Sequence, residues 1–591
     1  MRHSIKSVGL VVGVVLIPVG LLIAFWARPS IFDFNASGRR AAIAEAELAP
    51  EKQKQIWDNE HMAFEIERRF GPAFLAALLS KDATRLQAFM LPEFRGSDFT
   101  DVPVVPRRKD FISETRQTAP AGSATTIDSL ALSASLIKLL EPFDKIQRKQ
   151  IRNLQIAPIE GQPFRWRARV LLGFQGLNAS GHQVSAASEH EVELTVPDEM
   201  QMDSTAIINS WQMETAFAQV CQQPFFEEVT ESYGLDRVAI GDNWKLPLQE
   251  TSQNRFQIAC ADYNQDGYLD IAVALLDGTT LLLQSVEGKR FQEVAHSLGI
   301  NGAPRPALNF VAGWIDYNND GYPDLLSCGR LYENRAGQSF VDVTDRSGLQ
   351  FAEECMGCNV ADYDGDGFVD LYLVYQREFG SSSGAGQDKP RWVDDEHSGK
   401  ANELWRNMGN GTFRNVTAVA NAGGGKRHTH SAAWLYYDDD AYPDLFLTND
   451  FGKNVLLRNK GDGSFEDISS GTGADGFATS MGAVTGDIDN DGLTDIYVAN
   501  MFSKMGRRII GQLTDSDYPP GIFPQIQGSC AGNQLFLRKD GKLYRDCSNQ
   551  MGVNAVGWAY APAMFDVDGD GWLDLYATAG FMSFERDEPD G

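Results

Sequence analysis

The sequence predicts a mainly β protein assembled from repeats of one four-stranded unit, preceded by a membrane-spanning segment and a smaller α+β domain. Three observations carry this expectation. A short apolar strand, an Asp-rich loop with Gly at its sixth position and a second strand opening on Asp recur six times between Asp262 and Asp574, five copies being intact. A separate strand motif opening on Phe or Tyr recurs in phase with those loops. Near the N-terminus, residues 8–26 form an uncharged stretch of nineteen residues.

The loops come first because their chemistry is the most specific. Positions 1, 3, 5 and 9 are Asp262, Asn264, Asp266 and Asp270 in the first, and Asp316, Asn318, Asp320 and Asp324 in the second. The third has Asp362, Asp364, Asp366 and Asp370; the fifth Asp487, Asp489, Asp491 and Asp495; the sixth Asp566, Asp568, Asp570 and Asp574. A hard divalent cation such as Ca²⁺ takes about six to eight oxygens, and carboxylates wrapped round a Gly-permitted turn supply them. The competing EF-hand shares this opening but needs a bidentate Glu at position 12 and flanking helices. Position 12 here is Val273, Ser327, Leu373, Val498 or Ala577, and none of these can ligate an ion through its side chain as Glu does. Each Asp at position 9 instead runs straight into an apolar strand, as in Asp370-Leu-Tyr-Leu-Val, so each loop is expected at the tip of a β-hairpin. The fourth copy departs from the pattern, with Tyr436 at position 1 and Ala441 in place of Gly around Asp438, Asp440 and Asp444, and is expected to bind weakly or not at all.

Two further strands complete the unit. Segments opening at Phe226, Phe291, Phe340, Phe413, Phe465 and Tyr544 read as copies of a fourth strand, and Leu281–Gln284, Leu331–Asn334, Leu404–Asn407, Leu456–Asn459 and Leu535–Arg538 as third strands. Loop openings lie 54, 46, 74, 51 and 79 residues apart, the spacing of propeller blades with two insertions. The expected fold is therefore a calcium-binding β-propeller of six or seven blades over residues 224–591, with residues 225–230 as a strand that closes the last blade.

These loops and strands resemble the FG-GAP/VCBS repeat family, the integrin-α-type β-propeller, and most closely its cartilage-acidic-protein-like bacterial branch. The resemblance covers residues 224–580 and implies a calcium-stabilised propeller with binding or adhesive roles.

Composition and the N-terminus bound the setting. The 591-residue chain has a net charge of −28, which speaks against a nucleic-acid partner, since that needs a basic face. Residues 1–29 read as an uncleaved signal anchor whose segment 8–26 spans a membrane, with the bulk of the chain facing the periplasm or cell exterior. Weak extracellular-type calcium sites would stay empty in a cytosol. Residues 30–220 read as an α+β domain. A helical pattern over 61–90 breaks at Gly71-Pro72, and a long strand sets Phe164, Trp166, Ala168, Val170, Leu172 and Phe174 against Arg165, Arg167 and Arg169. Helices followed by long strands resemble a nuclear-transport-factor-like cone at the level of pattern alone.

Candidates for catalysis are sparse. His428-Thr-His430 and Cys355-Met-Gly-Cys358 have suggestive spacing but no accompanying catalytic set, so a non-enzymatic binding, adhesion or scaffold protein is expected, with a protein or glycan ligand. The alternative is an extracytoplasmic carbohydrate-active enzyme, a lyase or hydrolase, built on a propeller. The insertions 376–403 and 501–532, carrying Arg391, Trp392, Arg507, Arg508, Tyr518 and Phe523, are the expected contact surfaces.

Overall fold

The computed structural model describes residues 48–580 except 98, 100–101, 110–111, 120–125, 198–201, 203–205, 223–225, 239, 241–255, 276, 302–310, 353–354, 377–398, 439 and 540. The expected anchor 8–26 lies outside these residues, as do Arg391 and Trp392. Among the described residues no helix is long and apolar enough to cross a membrane. The chain is mainly β and divides into two units, residues 48–227 with 507–519, and residues 228–506 with 520–580.

The first unit packs helices on a sheet. Helix α1 (Pro50–Glu65) passes through a π-helical turn at Ile66–Phe70 into α2 (Gly71–Leu79), so helical backbone continues through Gly71-Pro72: the wider turn sets the Gly71 N–H on the Ile66 carbonyl, just where Pro72 has no N–H to carry the ladder on. Short helices α3 (Ala83–Gln87) and α4 (Ser129–Lys138) are capped by Asp82 and Asp128, whose carboxylates accept free N–H groups of the first turn. The sheet contains β1 (Met90–Ser97), β2 (Val105–Lys109), β3 (Ile112–Thr118), β4 (Thr126–Ile127), β5 (Lys145–Pro158), β6 (Arg165–Leu177), β7 (Gln183–Thr195) and β8 (Ile208–Cys221). Its main order is β2-β3-β8-β7-β6-β5, and β1 joins β8 in parallel. Along β6 the alternation holds: Ala168, Val170, Leu172 and Phe174 are buried, while Arg165 and Arg167 reach Glu193 and Arg169 reaches Glu189 and Glu214 on the other face. Phe164 does not follow it. It precedes the strand with φ of +64° and is 60% exposed, because the chain turns there before the pleat begins. The core joins helix to sheet, Phe74 stacking on Trp211 at 5.2 Å.

In the second unit, five four-stranded antiparallel sheets follow one another. Their strands are Phe256–Ala261, Asp270–Leu275, Thr280–Val286 and Arg290–Glu293; then Ala312–Ile315, Asp324–Ser327, Arg330–Asn334 and Phe340–Asp342; then Cys355–Ala361, Asp370–Tyr375, Glu403–Asn407 and Phe413–Asn415. The fourth sheet has Thr429–Leu435, Asp444–Asn449, Val455–Asn459 and Phe465–Asp467, and the fifth Ser480–Gly486, Asp495–Asn500, Gln534–Lys539 and Leu543–Asp546. A sixth contributes Ala559–Phe565 and Asp574–Ala579. The first strand of each sheet neighbours the first strand of the next, and the apolar cores lie between successive sheets: Tyr263 and Leu282 pack with Leu325 and Phe340, and Tyr372 and Leu404 with Leu445 and Phe465.

The fourth-strand motif has a physical reading. In four sheets the Thr or Ser after its Val, Ile or Cys takes the N–H of the third-strand Leu through its side-chain oxygen: Thr344 from Leu331, Thr417 from Leu404, Ser469 from Leu456 and Ser548 from Leu535, at 2.8–3.0 Å. The first sheet has Ala295 there, and Glu293 accepts the Ala295 N–H at 2.8 Å. The opening aromatic packs on the tyrosine at position 2 of the preceding loop, Phe465 on Tyr363 at 5.8 Å and Phe340 on Tyr263 at 5.6 Å.

One copy of this motif is not a strand. Residues 226–230 make the motif's turn, Glu228 accepting the Thr230 N–H at 2.9 Å, and Tyr233 accepts the Phe291 N–H, but none of residues 226–230 is in a strand.

Candidate metal centres

Each intact loop joins the first and second strands of a sheet, as the apolar run after position 9 requires. The loop closes on its own carboxylates. Asp at position 1 accepts the N–H of position 5 on one oxygen and of Gly at position 6 on the other; in the third loop Asp366 and Gly367 donate to Asp362 at 3.1 and 2.9 Å. Asp at position 5 accepts the next N–H, as Asp366 does from Phe368 at 3.0 Å. The turn needs left-handed backbone at position 6, where Gly267, Gly321, Gly367, Gly492 and Gly571 have φ of +84° to +88°.

Position 9 is built differently. Asp270, Asp324, Asp370 and Asp495 are buried, and each takes two backbone N–H groups. One comes from loop position 2 and the other from the end of the third strand, as Asp370 receives Tyr363 at 3.1 Å and Asn407 at 2.7 Å. Ser285, Asn334 and Arg538 supply the third-strand donor elsewhere. Among the described residues Asp574 receives Val567 at 3.0 Å and no third-strand N–H.

In the three all-Asp loops the carboxylates at positions 1, 3 and 9 converge, while those at position 5, Asp366, Asp491 and Asp570, are not among the oxygens that meet there. Oxygens of Asp362, Asp364 and Asp370 lie within 4.8 Å of one another, as do those of Asp487, Asp489 and Asp495, and of Asp566, Asp568 and Asp574. Two oxygens sharing one ion at about 2.4 Å can be at most about 4.8 Å apart, so these donor sets fit a calcium-sized cation, and a set made only of oxygen suits a hard one. In the first two loops Asn264 and Asn318 take position 3, donating to Asp266 and Asp320 at 2.9 and 3.0 Å. Basic side chains reach two of the intact loops. Arg406 sits on Asp364 and Asp366 at 2.6 and 2.9 Å, and Lys539 on Asp489 and Asp491.

The degenerate copy keeps its frame and loses the position-1 carboxylate, Tyr436 standing in its place. Asp444 still accepts the Tyr437 and Asn459 N–H groups at 2.7 Å each, and Asp438 is paired with Arg458 at 2.6 Å as Asp364 is with Arg406 in the third loop.

Burial raises the position-9 carboxyls, to about 6 for Asp270 and Asp495 and about 7 for Asp324 and Asp370, the other loop carboxylates adding to the effect while the two N–H bonds oppose it. A carboxyl raised in the folded state binds more protons there than when unfolded, so the ion-free protein loses stability as pH rises through 6 to 7. Chelated protein is therefore expected to melt at a higher temperature at pH 5 than at pH 8. With saturating Ca²⁺ the difference should shrink or reverse, since the ion takes the proton's place. Melting curves at both pH values, with and without chelator, check this.

The profile of the FG-GAP-like repeat matches residues 262–327, 316–373 and 436–498, each match running from one loop through the next. The chain carries FG-GAP-like repeats. The third match includes the degenerate Tyr436 loop, consistent with the Asp444 frame being retained there. Over 63 residues the chain is also 41% identical to cartilage acidic protein 1 of Xenopus tropicalis, a match covering 10% of each protein.

Other sequence candidates land elsewhere. His430 Nε2 lies 2.8 Å from Gln376 Nε2 and 3.9 Å from Asp450, at the upstream end of the fourth sheet's first strand. Cys355 and Cys358 sit on one strand as free thiols, both pushed up by burial, Cys358 to about 12, so neither offers a thiolate near neutral pH. Cys260 is exposed and Cys530 is buried. Of the expected contact residues, Arg508 and Tyr518 are buried too. Missed altogether were Asn402, Asn454 and Asn533, which precede the third strands and accept the last second-strand N–H of Tyr375, Asn449 and Asn500 at 2.8–3.0 Å. Their recurrence two residues before a third-strand Leu was a usable signal.

Proposed function

We propose that the FG-GAP-like repeats form a calcium-stabilised β-propeller of six or seven blades, serving as a binding, adhesion or scaffold module outside the cytoplasm and held to a membrane through residues 8–26. The observation that carries this reading is the convergence of three carboxylate oxygens within 4.8 Å at the tips of three hairpins, those of the third, fifth and sixth loops. Cores shared between consecutive sheets support it, because blades are sheets stacked face to face about an axis. Bound Ca²⁺ would be held by positions 1, 3, 5 and 9 and would supply the positive charge that lets these carboxylates stay ionised side by side. The chain's own residues do the rest: position 9 anchors the loop to the third strand, and Gly at position 6 lets it wrap.

The reading assigns binding rather than turnover, with a protein or glycan as ligand and no nucleic acid. It is tested by exposing the full chain, in detergent or a lipid bilayer, to glycan and protein arrays with and without chelator. Capture that disappears on chelation, with no product formed, is the expected result. Release of product from a polysaccharide would overturn it in favour of a carbohydrate-active enzyme.

A further inference from the structure

The cation loops touch one another through position 4, which carries no ligand. Gln265, Asn319 and Asn490 stand there with φ of +59°, +55° and +52°, left-handed backbone that few side chains other than Asn adopt readily. This turns each amide toward the following loop. Gln265 Nε2 donates to the Gly321 carbonyl at 2.8 Å, Asn319 Nδ2 to the Gly367 carbonyl at 2.7 Å, and Asn490 Nδ2 to the Gly571 carbonyl at 3.1 Å.

The acceptor is no ordinary carbonyl. The same peptide plane whose C=O receives the neighbour's amide carries the N–H that holds this loop's position-5 ligand: Tyr322 to Asp320 at 2.9 Å, Phe368 to Asp366 at 3.0 Å, Trp572 to Asp570 at 2.9 Å. Rotating that plane moves both bonds together. On the donor side, position 4 lies between ligand positions 3 and 5, so an ion that fixes Asn318 and Asp320 also aims the Asn319 amide. Hydrogen bonds in such a chain reinforce one another.

We propose that Gln265, Asn319 and Asn490 are positioning residues that couple cation binding between adjacent loops, linking the first to the second, the second to the third, and the fifth to the sixth. The inference rests on the reading of these loops as Ca²⁺ sites. The relay stops at the third loop because its position 4 is Gly365, which has no side chain to pass on, and the loop beyond is the degenerate one at Tyr436. Cations thus fill two cooperative groups rather than five independent sites. Coupling is reciprocal: whatever an ion in the second loop does for the third, an ion in the third does for the second.

Asn319→Gly is the informative variant. It deletes the amide but keeps a residue at home in left-handed backbone, and glycine already occupies this position as Gly365 and Gly569, with φ of +72° and +73°. The chelator-treated full chain is titrated with Ca²⁺ by calorimetry, wild type beside variant. The wild type is expected to bind with a Hill coefficient above one. Asn319→Gly should bind the same number of ions with a lower Hill coefficient and about fivefold weaker mean affinity, the low end of measured couplings. Asn319→Gln, restoring an amide of the kind Gln265 provides, should recover both. A variant isotherm superimposable on the wild type, or loss of a bound ion from Asn319→Gly, would overturn the coupling while leaving the Ca²⁺ reading intact. A wild-type chain that takes up no Ca²⁺ would overturn both.

Discussion

Chelating divalent cations is expected to lower the melting temperature of this protein by on the order of 10 °C. For sites of the extracellular class, with dissociation constants of about 10⁻⁴–10⁻³ M, millimolar free Ca²⁺ stabilises the folded state by roughly 1 kcal/mol per site, so five sites together contribute on the order of 5 kcal/mol. The structure says why the effect should reach the whole repeat unit. Position 9 of four intact loops bonds the end of its sheet's third strand, so a loop that opens loosens strand pairing as well as an ion site. Single variants separate this from general acidity. Asp364→Ala removes one of three converging carboxylates and should reduce both ion uptake and melting temperature. Asp438→Ala removes only the partner of Arg458, a partly exposed ion pair worth about 0–1 kcal/mol, and should leave the ion count unchanged. Scanning calorimetry with ion counting checks both, and equal losses in the two variants would show that the Tyr436 loop binds as its neighbours do.

The loops and their strands were legible because each depends on residues close in the chain. Ligand spacing, Gly at position 6 and the strand opening on position 9 form a local code, and repetition fixed its register: the expected third strands match the observed ones to within two residues at either end. The Thr or Ser of the fourth-strand motif was visible as a recurrence, though its task, receiving the Leu N–H of the strand before it, needed the fold. What could not be read depends on partners far away in sequence. Residues 226–230 carry a strand motif and make its turn, but strand pairing is decided by a neighbour the motif does not contain. Cys260 lies on the first strand of its sheet among apolar neighbours in sequence, yet its side chain is on the exposed side. Arg508 looked like a surface contact because Arg in a long insertion usually is one.

Arg508→Ala is expected to cost about 3–5 kcal/mol, more than any other single substitution considered. Residues 507–519 belong to the helix-and-sheet unit, and Arg508, 6% exposed, is held on three sides there. Its guanidinium forks onto Glu60 of α1 at 2.9 and 2.6 Å, donates to the Asn153 carbonyl of β5 at 2.8 Å and stands 3.5 Å from Glu67. Gln512, one turn on, accepts from Asn59 at 2.6 Å. Burial works against the Arg508 charge, but its bonds to Glu60 and the nearby Glu67 outweigh that and hold it protonated. Truncating Arg508 would therefore strand the Glu60 carboxylate, whose side chain is only 10% exposed, and this uncompensated charge, more than the lost attraction, is the source of the penalty. A double-mutant cycle tells the two apart. Glu60→Leu combined with Arg508→Met removes both charges and replaces them with apolar volume, and should be markedly more stable than Arg508→Met alone, with a coupling of about 2 kcal/mol in urea denaturation when both single variants are measured beside the double. If Arg508→Ala shifts the midpoint by less than the equivalent of about 0.5 kcal/mol, the range of ordinary surface changes, the insertion is not anchored through this residue.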